Sequence, residues 1–266
     1  MSKLGYWAIK TYKAGNIVEE TKYWVAGEKP TGDKKKISSN LKKLAQNEKQ
    51  CERALARLIN ENFEEGVLLG FDYDDKSYKR LMERAAVKQD AKRITQRRRE
   101  KMIEAAEAEF RLFLRRVKRM ADKKGVEVKY IAVTSDMDGD TGELVRVHHH
   151  VIVNKEAAEI FIAKWGKCKN PDSELLSPQL DRLPLASYLI RQVMHRKNAK
   201  AYIVSRNLKR PAPVYRAVKT ASELTVPKNG TLIYRSAYAP YLTQYIRYAV
   251  HEKRMRSAEG GVRNKK

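Results

Sequence analysis

The sequence predicts an α+β protein: a central, mostly antiparallel sheet of about five strands with helices packed on it. Three observations lead there. Short β-branched or alternating runs are bounded by Gly, Asn and Asp; segments of helical apolar spacing lie between them; and the order is two strands, helix, strand, helix, hairpin, helix. The 266 residues, 42% hydrophobic, suffice for an ordinary core. One domain over residues 1–252 is expected, with its centre at about 28–212 and a basic, disordered tail at 253–266.

Residues 6–13 and 17–25 alternate as strands around Gly15-Asn16, which supply the positive φ of a hairpin turn. Pro30 and Gly32 break the pattern, and Ser38-Ser39-Asn40 can cap a helix that runs to about Asn60 through Leu41, Leu44, Leu55, Leu58 and Ile59. The apolar run 67–73 reads as a buried strand closed by Asp74 and Asp75. From Ser77 to about Asp122 good helix formers dominate, as one helix or two in tandem. Its second half carries an apolar stripe (Ile103, Ala106, Phe110, Phe113, Val117), while its first half, with Lys92, Arg93 and Arg97, either projects as a basic arm or frays. Gly125 ends it. Residues 126–134 form a strand, an acidic turn follows at Asp136, Asp138 and Asp140, and the hairpin returns through Val145 to Val153. Residues 156–165 are helical, 166–178 a loop. Pro184 opens a further helix over 185–195, with Leu185, Leu189 and Val193 on one side and Tyr188, Gln192 and His195 on the other. Residues 231–239 and 241–250 alternate as strands.

Fifty-six Lys and Arg against 32 Asp and Glu give a net charge of +24. Such an excess favours a polyanionic partner, and phosphate backbone is the usual one because each neutralised phosphate releases counterions. The fourteen tyrosines offer rings for stacking on bases or for core packing alike. No apolar run approaches the roughly 18 residues of a membrane span, and Cys51 and Cys168 show no paired spacing. A soluble, cytoplasmic protein with reduced thiols and no membrane partner is therefore expected. A phosphate-cradling P-loop, zinc-finger spacing and a nucleophile elbow are all missing, which speaks against a built-in nucleotide-driven motor.

The richest segment is His148-His149-His150 inside a β-branched run. Successive strand side chains alternate, so His148 and His150 share one face and His149 takes the other. Two neutral imidazoles on a stiff strand suit a cation, and a tyrosine on a polar helix stripe could attack a phosphodiester held by it. A tyrosine with a pKa of about 10 needs a neighbouring cation, Arg191 or the metal, to act near neutral pH.

Arg146-Val147-His148-His149-His150-Val151 resembles the histidine motif of the HUH endonucleases, the rolling-circle replication initiators of plasmids and phages. Lys29-Pro30-Thr31, Asn60-Glu61-Asn62-Phe63, the acidic end of the Phe71 strand, the block from Lys129 to Thr134 and Ser205-Arg206-Asn207-Leu208-Lys209 resemble successive stretches of the compact single-tyrosine initiators of Firmicute elements. The family's Tyr-x-x-Lys is similar to Tyr188-Leu189-Ile190-Arg191, with Arg for Lys. The resemblance implies an HUH-type fold. It further implies a divalent ion, Mg²⁺ or Mn²⁺, on His148 and His150, Tyr188 as nucleophile, and a 5′-phosphotyrosyl strand with a free 3′-hydroxyl. Many relatives take a third ligand from a Glu where this chain has Ser135, so Asp136 is the expected ligand, with Asp138 behind it. Arg146, Arg206, Lys209 and Arg210 are the expected DNA contacts. Partners implied are single-stranded or hairpin origin DNA and a host helicase and polymerase, in the cytoplasm of a bacterial host. Two alternatives stay open: a transposase or relaxase with the same site, and a non-catalytic basic DNA-binding protein.

Overall fold

A computed structural model describes residues 5–26, 41–87, 95–168, 170–176, 181–193, 201–219, 222–237 and 242–251, with backbone alone for 41–46. The Ser38-Ser39-Asn40 cap, the Lys29-Pro30-Thr31 block, Lys92 and Arg93, His195 and the basic tail lie outside the described residues. In chain order the elements are β1 (Tyr6–Ala14), β2 (Ile17–Val25), α1 (Leu41–Asn62), β3 (Gly66–Phe71), α2 (Asp75–Arg84), α3 (Gln96–Lys124), β4 (Tyr130–Met137) and β5 (Leu144–Asn154). They continue with α4 (Lys155–Trp165), β6 (Asp172–Leu175), α5 (Leu183–Arg191), β7 (Ile203–Val204), β8 (Val214–Val218), β9 (Gly230–Arg235) and β10 (Gln244–Val250). The fold is α+β, as the element order predicts, but with two antiparallel five-stranded sheets rather than one. Where the sequence suggests a single body, the chain divides into two compact units, Asp33–Pro211 and the joined ends Met1–Gly32 with Ala212–Lys266.

The larger unit is built on a sheet of order β6-β3-β5-β4-β7. Its centre is β5, paired to β3 on one side and β4 on the other, so the histidines sit on an interior strand. Val151, Ile152 and Val153 are fully buried there, each side chain contributing about 1.5–3 kcal/mol by leaving water. Alternation sends the two faces to different cores. Val67, Leu69, Ala132 and Val151 pack on α2, α3 and α4 with Phe110, Phe113 and Trp165, whereas Ile131, Val133 and Ile152 pack on α1 and α5 with Leu55, Ile59 and Ile190.

The basic stretch expected between Ser77 and Asp122 is two helices. Asp74 caps α2 by accepting from Ser77 N, Thr95 caps α3 by accepting from Arg98 N, and α3 ends at Gly125 in the left-handed conformation. The acidic hairpin turn begins later than the sequence suggests, because β4 extends to Met137 with a register irregularity between Ser135 and Met137. Two edge strands are added: β6 falls in the stretch that reads as loop, and β8 follows Pro213 where the sequence gives no element. β6 is wholly exposed and β8 nearly so, and each pairs with a single neighbour.

In the smaller unit the sheet order is β8-β1-β2-β10-β9. One face carries Ile9, Val18, Ile246 and Tyr248, covered by Leu224 and Val226 from the segment before β9. Two further bonds hold that segment: Leu224 N donates to Gln244 Oε1, and Lys22 Nζ donates to the Ser222 carbonyl. The other face bears a buried ion pair, Arg247 to Glu19 at 2.6 Å, on neighbouring strands.

Candidate active site

His148 and His150 emerge from β5 on the face that packs against α5, with ring centroids 4.9 Å apart and planes nearly perpendicular. Their register partners on β4 are Ser135 and Val133, which share that face. Helix α5 is positioned from both ends. Asn60 of α1 receives a hydrogen bond from Arg182 N and donates to Asp181 Oδ1 at its start; Ser135 Oγ donates to the Gln192 carbonyl, 2.9 Å away, at its finish. Tyr188 and Gln192, one helical turn apart, are thereby brought to the histidines. The Tyr188 hydroxyl lies 3.5 Å from His150 Nε2, and Gln192 Oε1 lies 3.3 Å from His148 Nε2.

The acidic turn closes over this face at Gly139. A Cβ there would fall inside the van der Waals contact of the Tyr188 ring and of Gln192 Nε2, so the close approach requires glycine. Asp138 is occupied as a turn former. Its Oδ1 accepts from Asp140 N and from Thr141 N and Oγ1, bonds that hold its carboxyl below the usual range, helped by His148 nearby.

Burial prepares the His150 ring as a neutral donor. Burial lowers His150 to about 4, with His148 pushing the same way. His148 Nδ1–H donates to the Arg146 carbonyl at 3.0 Å. A ligating histidine is commonly oriented by this kind of bond, which leaves the Nε2 lone pair outward. With Nδ1 as the donor, Nε2 is the acceptor nitrogen and faces the side-chain Oε1 of Gln192 at 3.3 Å. Gln192 is itself buried, and its Nε2 makes no well-aligned hydrogen bond among the described residues. Two imidazole nitrogens and an amide oxygen therefore form a donor set that fits a divalent cation. Mn²⁺, which accepts both nitrogen and oxygen ligands, fits it better than Mg²⁺, whose preference is for oxygen. Among the described residues no group of three or more His, Cys, Asp and Glu is placed to hold a metal ion. Tyr188 is raised above the ordinary phenol value, first by burial and then by Asp140 and Asp138, while the neighbouring Gln192 amide acts in the opposite sense.

Asp136, the carboxylate expected as third ligand, is not brought to the histidines. It stands one position beyond Ser135 and so on the opposite face, where Arg99 of α3 holds it bidentately at 2.6 and 3.0 Å. His149 shares that face. Fully buried, it is stacked on Phe110 at 4.5 Å and hydrogen-bonded to the Tyr73 hydroxyl and Thr134 Oγ1, and burial lowers it to about 3. Arg191 is exposed, with Nε donating to the Ser187 carbonyl at 3.4 Å, and no contact among the described residues joins it to Tyr188 or the histidines.

Of the expected DNA contacts, Arg146 is exposed, paired with Asp75 at 2.6 Å and stacked over the Tyr78 ring at 5.0 Å. It lines a cleft of about 330 Å³ with Arg98, Arg99 and Met102. Arg206, Lys209 and Arg210 are exposed after β7. There Ser205 N bonds the Tyr130 carbonyl, and Asn62 clamps the backbone N–H and carbonyl of Lys209. Tyr130 is five residues from Ser135 along β4, so that group lies roughly 16 Å from the His148 end. Gln192 is the site residue that motif reading passes over. Its signal in the sequence is its place four residues after Tyr188 on the same polar stripe. No described helix is long and apolar enough to cross a membrane. No family model, curated protein or solved structure matches the chain.

Proposed function

We propose that the larger unit is a metal-assisted, tyrosine-dependent endonuclease and strand transferase acting on single-stranded DNA. The observation that carries this reading is the convergence, on one face, of His148 Nε2, His150 Nε2 and Gln192 Oε1 with the Tyr188 hydroxyl 3.5 Å from one of those rings. A divalent ion bound by these donors would polarise a non-bridging phosphoryl oxygen and favour the phenolate. Tyr188 oxygen attacks phosphorus in line, the bond from phosphorus to the 3′ oxygen breaks, the phenolic proton is lost and the departing 3′ oxygen takes one up. The products are a 5′-phosphotyrosyl strand and a free 3′-hydroxyl, and the reverse attack by a 3′-hydroxyl rejoins strands. Burial and the two turn aspartates favour the neutral phenol of Tyr188, so a cation bound beside it would be needed to favour the phenolate. Gly139 and Ser135 act by position, setting the ring and the end of α5.

Such an activity starts rolling-circle replication of a phage, plasmid or integrated element. It would take single-stranded or hairpin origin DNA as substrate and draw on a host helicase and polymerase in the bacterial cytoplasm. The resemblance of the histidine block to HUH endonucleases and the net charge of +24 both support it. The test is incubation with end-labelled single-stranded DNA and Mn²⁺ or Mg²⁺. A covalent adduct stable to denaturant, lost in Tyr188→Phe and His148→Ala, is expected. Salt-sensitive retention without any adduct would instead make the protein a non-catalytic binder.

A further inference from the structure

The smaller unit carries a feature that the histidine site does not use. Nine of the chain's fourteen tyrosines lie in Met1–Gly32 and Ala212–Lys266, where sixteen Lys and Arg stand against six Asp and Glu. Strand pairing sorts them. The register series Tyr215, Lys10, Thr21, Tyr245 and the series Tyr12, Glu19, Arg247, Tyr234 run across the sheet on one face. Tyr23, level with Ala8, and Tyr6, level with Val25, belong to the same face by alternation. Each of the five strands therefore places at least one tyrosine on it. Strand propensity favours tyrosine on either face, yet the opposite, core-bearing face receives only Tyr248 from these strands.

The rings are set for contact. Tyr215 is 60% exposed, Tyr234 53% and Tyr6 49%, and Tyr12 and Tyr23 are partly so. Lys10 Nζ lies over the Tyr12 ring at 4.8 Å and the Tyr215 ring at 5.9 Å, and Tyr234 meets Tyr245 at 6.0 Å. Glu19, Arg247 and Tyr245 close the centre of this face, so the accessible rings are Tyr6, Tyr12, Tyr23 and Tyr215 around Lys10, with Tyr234 beyond the ion pair. From Tyr215 on β8 to Tyr23 on β2 is two strand steps, about 10 Å, room for about two splayed bases. A stable apolar partner surface would want aliphatic residues. A row of phenols with an interleaved lysine, in a unit of strong positive charge, instead matches unpaired bases on a phosphate backbone.

We propose that this tyrosine face binds single-stranded nucleic acid by stacking, as a second site independent of the chemistry at His148. The test uses the full chain in EDTA at raised salt, where cleavage is off and phosphate attraction is weakened. Probes are a labelled oligothymidylate of about 20 nucleotides, the matching oligouridylate, and a duplex of equal length. Tyr12→Ala/Tyr215→Ala/Tyr234→Ala should weaken single-strand binding about fivefold or more, while the corresponding triple Phe variant stays within about twofold of the parent. Parental affinity in the alanine variant, or equal loss in the alanine and phenylalanine variants, overturns the proposal. Photocrosslinking the unmodified protein to an iodouracil-substituted strand supplies a readout that does not depend on variant folding. Crosslinks on these tyrosines are expected, and crosslinks confined to Asp33–Pro211 overturn it. The tighter of the two single strands identifies DNA or RNA as the source of the bases.

Discussion

Replacing Asp136 with Asn separates a structural carboxylate from a metal ligand. Both Asp136 oxygens are engaged by Arg99 at 2.6 and 3.0 Å, with the carboxylate 6% and the guanidinium 16% exposed. The amide removes the charge and turns one acceptor into a donor facing a donor. Breaking such a pair by changing one partner costs about 3–5 kcal/mol, because a desolvated guanidinium loses its counter-charge. For a unit of this size that corresponds to a fall of roughly 6–20 °C in Tm. Exchanging both partners for apolar residues, Asp136→Leu with Arg99→Met, should recover much of the loss, since the desolvation penalty disappears with the pair. The assay is thermal melting by circular dichroism alongside Mn²⁺ titration of the folded protein. Stability falls while Mn²⁺ affinity holds. Asp136→Asn that melts like the parent but binds Mn²⁺ tenfold more weakly would refute this reasoning and restore Asp136 as a ligand.

Gln192→Ala should reverse that pattern, weakening Mn²⁺ binding by about tenfold or more in a calorimetric titration, with a melting temperature close to the parent's. Gly139→Ala pushes on the Tyr188 ring and on Gln192, and a displacement of about 1 Å at a reacting group costs on the order of a hundredfold, so adduct yield should drop by that order in a timed gel assay. The buried histidines make the metal-free protein acid-sensitive. Unfolded imidazoles bind protons below about pH 6.5, whereas native His150 and His149 resist until about 4 and 3. The stability they contribute is intact above that upper value and is lost as the pH falls toward the native ones, by about 1.4 kcal/mol per pH unit for each ring. Urea midpoints in EDTA between pH 7 and pH 4.5 check this, and a flat profile would contradict it.

How far the site could be read from sequence depends on what is local. Alternation within the histidine run already puts His148 and His150 together and sends His149 to the core, because a strand's period needs no partner to define it. The position of Tyr188 on a polar stripe is equally local. The place of Asp136, the expected third ligand, is not, because the register pairing Ser135 with His148 sets which β4 residues share the histidine face, and that pairing joins distant segments. Once it is known, Asp136 falls on the wrong side by parity and Arg99 accounts for its charge. Gln192 lay in plain view at four residues from Tyr188, but an amide carries no motif. The smaller unit's sheet is the largest feature hidden from the sequence. It joins the two ends of the chain, and β8, an exposed strand of five residues just after Pro211 and Pro213, is too short and too close to those prolines to stand out. The tyrosines 215 and 234 become a surface only when β1 and β10 bring their strands alongside.

The claim on which the functional reading depends is that His148, His150 and Gln192 share one cation beside Tyr188. Anomalous diffraction from crystals soaked in Mn²⁺ tests it directly. A single strong peak within bonding distance of both Nε2 atoms and Gln192 Oε1 is expected, whereas a peak at the Asp138 and Asp140 turn without histidine ligation, or none in the unit, would contradict it.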